Sequence, residues 1–252
     1  SNMGSSTSQI TDETKADPYA WKNVLALPLV GNKEDVSNSI NSGSTTKAVT
    51  TNGNTVASSA RSNFYNGSFY LDGSGDYLSL TTTSDFAFGT GDFTIEFWAY
   101  VPTTEASNLL PVFDNDYNSS GGVAVAIRQS DSFFAVAPQA GGSGFNYNQF
   151  SAPFSLNTWN HFAIGASNGV YKAFLNGREC SLASGSVTAI NVSRSSGTTE
   201  IGRLVGQTSF DFGGYLQDLR IYKGAAKYTS DFVVPSTSPD VLPDTPSGVS
   251  GS

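Results

Sequence analysis

Cysteine is almost missing from this chain: Cys180 is the only one in 252 residues. No intrachain disulfide can form, so the fold rests on core packing or a bound ion, and the redox compartment stays open. Histidine is equally scarce. His161 stands alone, and no Gly-x-Ser-x-Gly elbow accompanies it, which leaves nucleophilic triads without their parts. Basic residues number 13 against 21 acidic ones, a formal net charge of −8. That field repels a phosphate backbone, and no Lys/Arg cluster makes a local exception, so nucleic acid is not an expected partner. No apolar run approaches the roughly 20 residues that span a bilayer, so membrane insertion is not expected either. Charged residues make up only 13% of the chain. No segment sustains apolar residues at helical spacing, which argues against long helices.

What the chain has is 26 glycines among abundant Ser, Thr and Asn, with 38% hydrophobic residues. That is the composition of many short strands joined by turns, and an all-β sandwich of this length is commonly one domain. The pattern predicts strands at 24–30, 46–51, 68–71, 77–80, 93–101, 109–113, 123–128, 133–137, 159–166, 170–175, 186–190, 200–204 and 214–222. Asn176-Gly177 follows one of them directly and predicts a type I′ hairpin turn. Residues 1–16 are polar and aperiodic, and read as a flexible lead, with Ser1-Asn2 as a tag scar. Residues 17–236 form the domain, and 237–252 read as a Pro/Ser/Gly-rich tail or linker.

Alternation along Phe93–Val101 puts Phe93, Ile95, Phe97, Ala99 and Val101 on a core face. Thr94, Glu96, Trp98 and Tyr100 form the opposite, half-exposed one. In the last strand strict alternation groups Tyr215, Gln217, Leu219 and Ile221 against Leu216, Asp218, Arg220 and Tyr222. The face with Asp218 and Arg220 has to border solvent, a polar network or an ion.

Four ordered stretches resemble the concanavalin A-like lectin/glucanase superfamily in its laminin-G-like branch, as found in phage and marine microbial proteins. They are Tyr70–Leu78, Gly91–Trp98, Trp159–Ala163 leading into Ala173–Gly177, and Ile201–Arg203 leading into Gly214–Tyr222. The resemblance implies a jelly-roll β-sandwich of two antiparallel sheets and a recognition role. One sandwich hosts many functions, so the ligand is not implied.

Glucanases of this superfamily set carboxylates at alternate positions of one strand. The nearest equivalent is Asp92-Phe-Thr-Ile-Glu96, whose end Cα atoms lie about 13 Å apart on a strand. Thr94 replaces the middle acid, so Glu96 reads as an exposed surface residue and no enzymatic activity is expected. Cys180 reads as an unreactive small side chain. Related sandwiches bind a structural Ca²⁺ through an Asp of the last strand, which makes Asp218 the metal candidate. A contact of Asp218 with Arg220 or the backbone is the equal alternative.

Aromatic loops rich in Asn, Ser and Gly suit a glycan, a protein interface or simple anchoring into the core. The ligand-binding candidates are Trp98, Asp114, Asp116, Tyr117, Asn118, Phe145 and Tyr147. The sequence thus points to a non-catalytic module binding a glycan or cell-surface receptor, on an extracellular or virion surface. A structural decoration module contacting virion or assembly proteins is the alternative, and a glycoside hydrolase the least favoured reading.

Overall fold

Alternating apolar residues punctuated by turn formers give sixteen strands in the computed structural model, which describes residues 17–105, 109–130, 132–138 and 147–234. Residues 1–16 and 237–252, read above as flanking linkers, and Phe145 lie outside the described residues. In chain order the strands are β1 (Asn23–Leu27), β2 (Thr50–Asn52), β3 (Val56–Ser58), β4 (Ser68–Asp72), β5 (Tyr77–Thr81), β6 (Phe93–Tyr100), β7 (Leu110–Asp114) and β8 (Val123–Arg128). There follow β9 (Phe133–Pro138), β10 (Asn148–Ser151), β11 (Trp159–Ser167), β12 (Val170–Leu175), β13 (Arg178–Glu179), β14 (Leu182–Ser184), β15 (Thr198–Ile201) and β16 (Gly213–Lys223).

One sheet has the order β13-β12-β11-β6-β16-β4-β3, with β1 also paired to β16. The other runs β14-β10-β9-β8-β7-β15-β5-β2. Their inner faces share a single core. Phe97 stacks on Phe162 at 5.3 Å, and Phe134 of the opposite sheet meets both edge-on at 6.1 and 5.3 Å. Phe93, Ile95, Phe97, Phe162, Ile164 and Leu219 are all buried there, as their alternation requires.

The Asn176-Gly177 turn forms with both residues at positive φ, 49° and 79°, between β12 and β13. A Cβ on Gly177 would stand on the Phe232 carbonyl, and the Phe232 N–H donates to the Gly177 carbonyl at 2.9 Å. The turn therefore also docks the C-terminal segment. Two sequence expectations need correction. Strict alternation fails in β16, where a β-bulge shifts the register on β6 between Gln217 and Arg220, with Asp218 at φ 53°. The extra residue lets Leu216, Leu219 and Ile221 enter the core while Gln217, Asp218, Arg220 and Tyr222 serve the outer face. Residues 186–190 form no strand, only an isolated bridge from Thr188 to Val170. The short strands β3, β10, β13 and β14 lie outside the predicted set.

Candidate functional site

Each sheet has an outer face, and the two differ in what they leave open. On the first sheet, Glu96 is not the exposed residue expected from sequence: it is 3% exposed. Its Oε1 accepts from Lys227 Nζ at 2.8 Å, and its Oε2 from the Tyr228 hydroxyl at 2.8 Å, with His161 Nε2 at 3.0 Å. Burial pushes its carboxyl up, but the charges of Lys227 and Arg220, with His161, prevail and hold it well below the usual range. Asp92, its supposed catalytic companion, accepts the Asn168 N–H at 2.8 Å instead.

Asp218 is equally committed. Its two oxygens accept from Arg220 Nε and Nη2 at 2.8 and 2.7 Å. Arg220 also meets the Tyr222 hydroxyl, which donates to Asp17 at 2.6 Å. A Ca²⁺ at Asp218 would have to displace a buried guanidinium, so this donor set does not fit the metal. The Asp218–Arg220 contact is the arrangement present. Among the described residues no three His, Cys, Asp or Glu side chains converge as a metal set. Trp98 is half-buried on this face, edge-on to Phe64 at 5.5 Å and His161 at 5.2 Å.

On the second sheet's outer face, one cross-strand row reads Ser79–Glu200–Asp114–Ala124 over β5, β15, β7 and β8. The structure does gather Asp114, Asp116, Tyr117 and Tyr147 here, but mostly as anchors. Tyr117 is only 3% exposed and packs with Leu109, Ala124, Ala126 and Leu204, with Tyr147 and Phe210 against them. Its ring has no open face for a ligand, which corrects the expectation placed on it. Asp116 is held by Arg194 and by the Ser119 hydroxyl at 2.7 Å, while Asn118 is exposed. Asp114 is fully buried, accepting the N–H groups of Tyr117 at 2.7 Å and Val205 at 2.8 Å. It fastens two loops and cannot reach a ligand.

Burial pushes the Asp114 carboxyl up to about 7 from 3.8, against the pull of those hydrogen bonds. The sign of its effect follows from proton uptake. Between about pH 4 and about pH 7 the folded protein keeps a proton that the unfolded chain has released, so stability falls as pH rises through that window and levels off above it. Urea midpoints measured across the window should decline for the wild type and flatten in Asp114→Asn. Parallel pH profiles would contradict this assignment.

Beside these anchors lies an open half. Glu200 projects from β15 next to Asp114; it is 9% exposed, and its Oε2 is buried with no hydrogen-bond partner among the described residues. Burial raises its carboxyl, with Arg203 opposing. Tyr77 of β5 lies on the same face, with the Arg203 guanidinium 4.2 Å from its ring centroid. Asp211 fixes Arg203 through two bonds, 2.6 and 2.8 Å, and accepts the Gly75 N–H at 2.7 Å. Asn52 donates to the Ser79 hydroxyl at 2.9 Å. Sequence reasoning passed over this group, because Ile201-Gly-Arg203 was read only as a family signature. The signal was an acid at position 200, one residue from a core isoleucine and therefore on the opposite face.

A family profile described as the concanavalin A-like lectin/glucanases superfamily, of laminin-G type, matches residues 72–228. The chain belongs to this family. No curated protein matches the laminin-G-like chain. Among solved structures, the botulinum neurotoxin serotype C1 binding domain aligns with TM-score 0.59 at 14% identity, over 83% of this chain and 50% of that one. The binding domain of botulinum neurotoxin DC, in complex with rat synaptotagmin II, aligns with TM-score 0.57 at 16% identity, over 82% and 50%. The laminin-G-like chain thus spans about half the length of these toxin chains, and at such identities the likeness is one of fold. Among the described residues no helix is long and apolar enough to cross a membrane.

Proposed function

We propose that this laminin-G-like domain is a non-catalytic recognition module that binds a neutral glycan on the open half of its second sheet. The carrying observation is Glu200, whose buried Oε2 has no hydrogen-bond partner among the described residues. An unmet acceptor costs stability, and a small rotation of the Glu200 side chain, itself 9% exposed, would bring Oε2 to a donor from outside. A sugar hydroxyl supplies one, while Tyr77, Ser79 and Asn52 add the mixture of ring and hydrogen-bonding groups that orients a small polar ligand. Glu200, Asp211 and a net charge of −8 disfavour sulfated or uronic-acid glycans.

Hydrolysis is disfavoured by the same geometry. Both stereochemical routes need two carboxyl groups that reach the substrate. Asp114, the acid paired across from Glu200, has both oxygens on backbone N–H groups and no exposure. An extracellular or virion-surface setting accords with such a module, and a glycan or cell-surface receptor is its partner in this reading. A glycan array should register neutral oligosaccharides, with no reducing sugar released on prolonged incubation. Binding confined to sulfated or sialylated glycans, or release of reducing ends, would overturn the reading.

A further inference from the structure

The first sheet carries a second open surface that the glycan reading does not use. Cross-strand pairing places Trp159, Tyr100, Tyr215, Tyr70 and Val56 in one row over β11, β6, β16, β4 and β3. The rings meet in sequence: Trp159 to Tyr100 at 5.8 Å, Tyr100 to Tyr215 at 5.8 Å, and Tyr215 to Tyr70 at 4.9 Å. All four aromatics are half-buried, and Val56 is 52% exposed. Their interplanar angles of 63°, 88° and 40° stand successive rings across one another, so they make no flat stacking platform for a sugar chain. Tyrosine, tryptophan and arginine are the residues that dominate protein interfaces.

The flanks of the row carry opposite charges. On one side Arg61 is exposed, its guanidinium 5.4 Å from the Tyr100 ring centroid, and its carbonyl accepts from Ser68 at the start of β4. On the other side the Glu105 side chain lies against Gly213 and Gly73, beyond Asp72 at the end of β4. Glu105 and Asp72 both act on Tyr70, raising its phenol together with burial. A positive wall and a negative wall on either side of an aromatic floor are self-complementary. A two-fold axis through the row sets Arg61 of one copy against Glu105 and Tyr70 of the other.

We infer that this face is a homodimer interface, closed by a second copy of the chain. At a strand spacing of about 4.8 Å and a rise of about 3.3 Å per residue, the floor measures roughly 19 by 13 Å, or about 250 Å². A standard stable interface buries about 800 Å² per partner, so even with its walls this dimer is a weak one. It assembles in the micromolar range or above.

Sedimentation equilibrium of the full chain at physiological ionic strength tests the inference, from low micromolar to millimolar protein. The wild type should shift from monomer to dimer. Arg61→Glu and Glu105→Lys should each weaken association about tenfold or more, since each variant places like charges together twice per dimer. The double variant, with the charges exchanged, should recover it. Both side chains lie at the surface, so unchanged melting temperatures will show that the fold is intact. A wild type that stays monomeric throughout overturns the inference. So does a dimer indifferent to both single reversals, or a glycan whose binding is lost in Tyr215→Ala while the protein remains monomeric. The purely oligomeric outcomes leave the Glu200 surface untouched, so this inference can fail while the proposed function stands, whereas loss of glycan binding in Tyr215→Ala would move the glycan to the first sheet and overturn both.

Discussion

Replacing Arg220 by leucine is expected to lower the unfolding free energy by about 3–5 kcal/mol, because it leaves charges buried without a counterion. Arg220 is 4% exposed, with Asp218 on two of its guanidinium nitrogens and Asp17 3.6 Å from a third. Burial opposes its charge, yet Asp218, Tyr222 and Glu96 hold it well above the ordinary range. For a domain of this size such a loss corresponds to a melting-temperature drop of about 6–20 °C. Arg220→Lys should recover little, since an ammonium cannot hold both Asp218 oxygens in the same fork. Urea denaturation measures both variants, and a cost below about 1 kcal/mol for leucine would show that the cluster is dispensable. The same network predicts the acid limb of stability. Glu96 has a depressed folded pKa, so its contribution is present above the usual carboxylate range and is lost as pH falls through the lower value.

Glu200→Met is expected to stabilise the fold while removing function. The wild-type side chain buries an oxygen that makes no hydrogen bond among the described residues, and relieving that penalty with an apolar chain of similar length gains about 1–3 kcal/mol. If a sugar hydroxyl supplies the missing partner, the same change loses a hydrogen bond to a charged group. That bond is worth about 1.5–3 kcal/mol, or roughly 10–100-fold in affinity. Opposite signs for stability and binding mark a group retained for its ligand. A variant that is less stable than the wild type would make Glu200 an ordinary structural residue.

The core was legible in the sequence because period-two alternation and turn chemistry are local. Phe93, Ile95 and Phe97 face inward as written, and Asn176-Gly177 turns where two positive φ values were needed. The bulge at Asp218 was not legible. One extra residue reverses the phase of every side chain after it, and its cause lies far away, in the Pro28 carbonyl that accepts the Asp218 N–H. Long-range partners also decided the acids. Glu96 sits on a strand that reads as half-exposed, but Lys227 and Tyr228, some 130 residues later, fold across and bury it. Tyr117 had the composition of a binding loop and became an anchor, because the alanines at 124 and 126 leave room for its ring. Glu200 and Arg203 escaped notice since only the register of β15 against β5 and β7 sets them beside Tyr77.

Titration calorimetry of an array-positive neutral oligosaccharide into wild type and Glu200→Met tests the central claim most directly. Saturable binding to the wild type, weakened about 10–100-fold in the variant with no heat of continuing turnover, is the predicted result. Equal affinity for both proteins, or a steady heat that signals substrate being consumed, would contradict it.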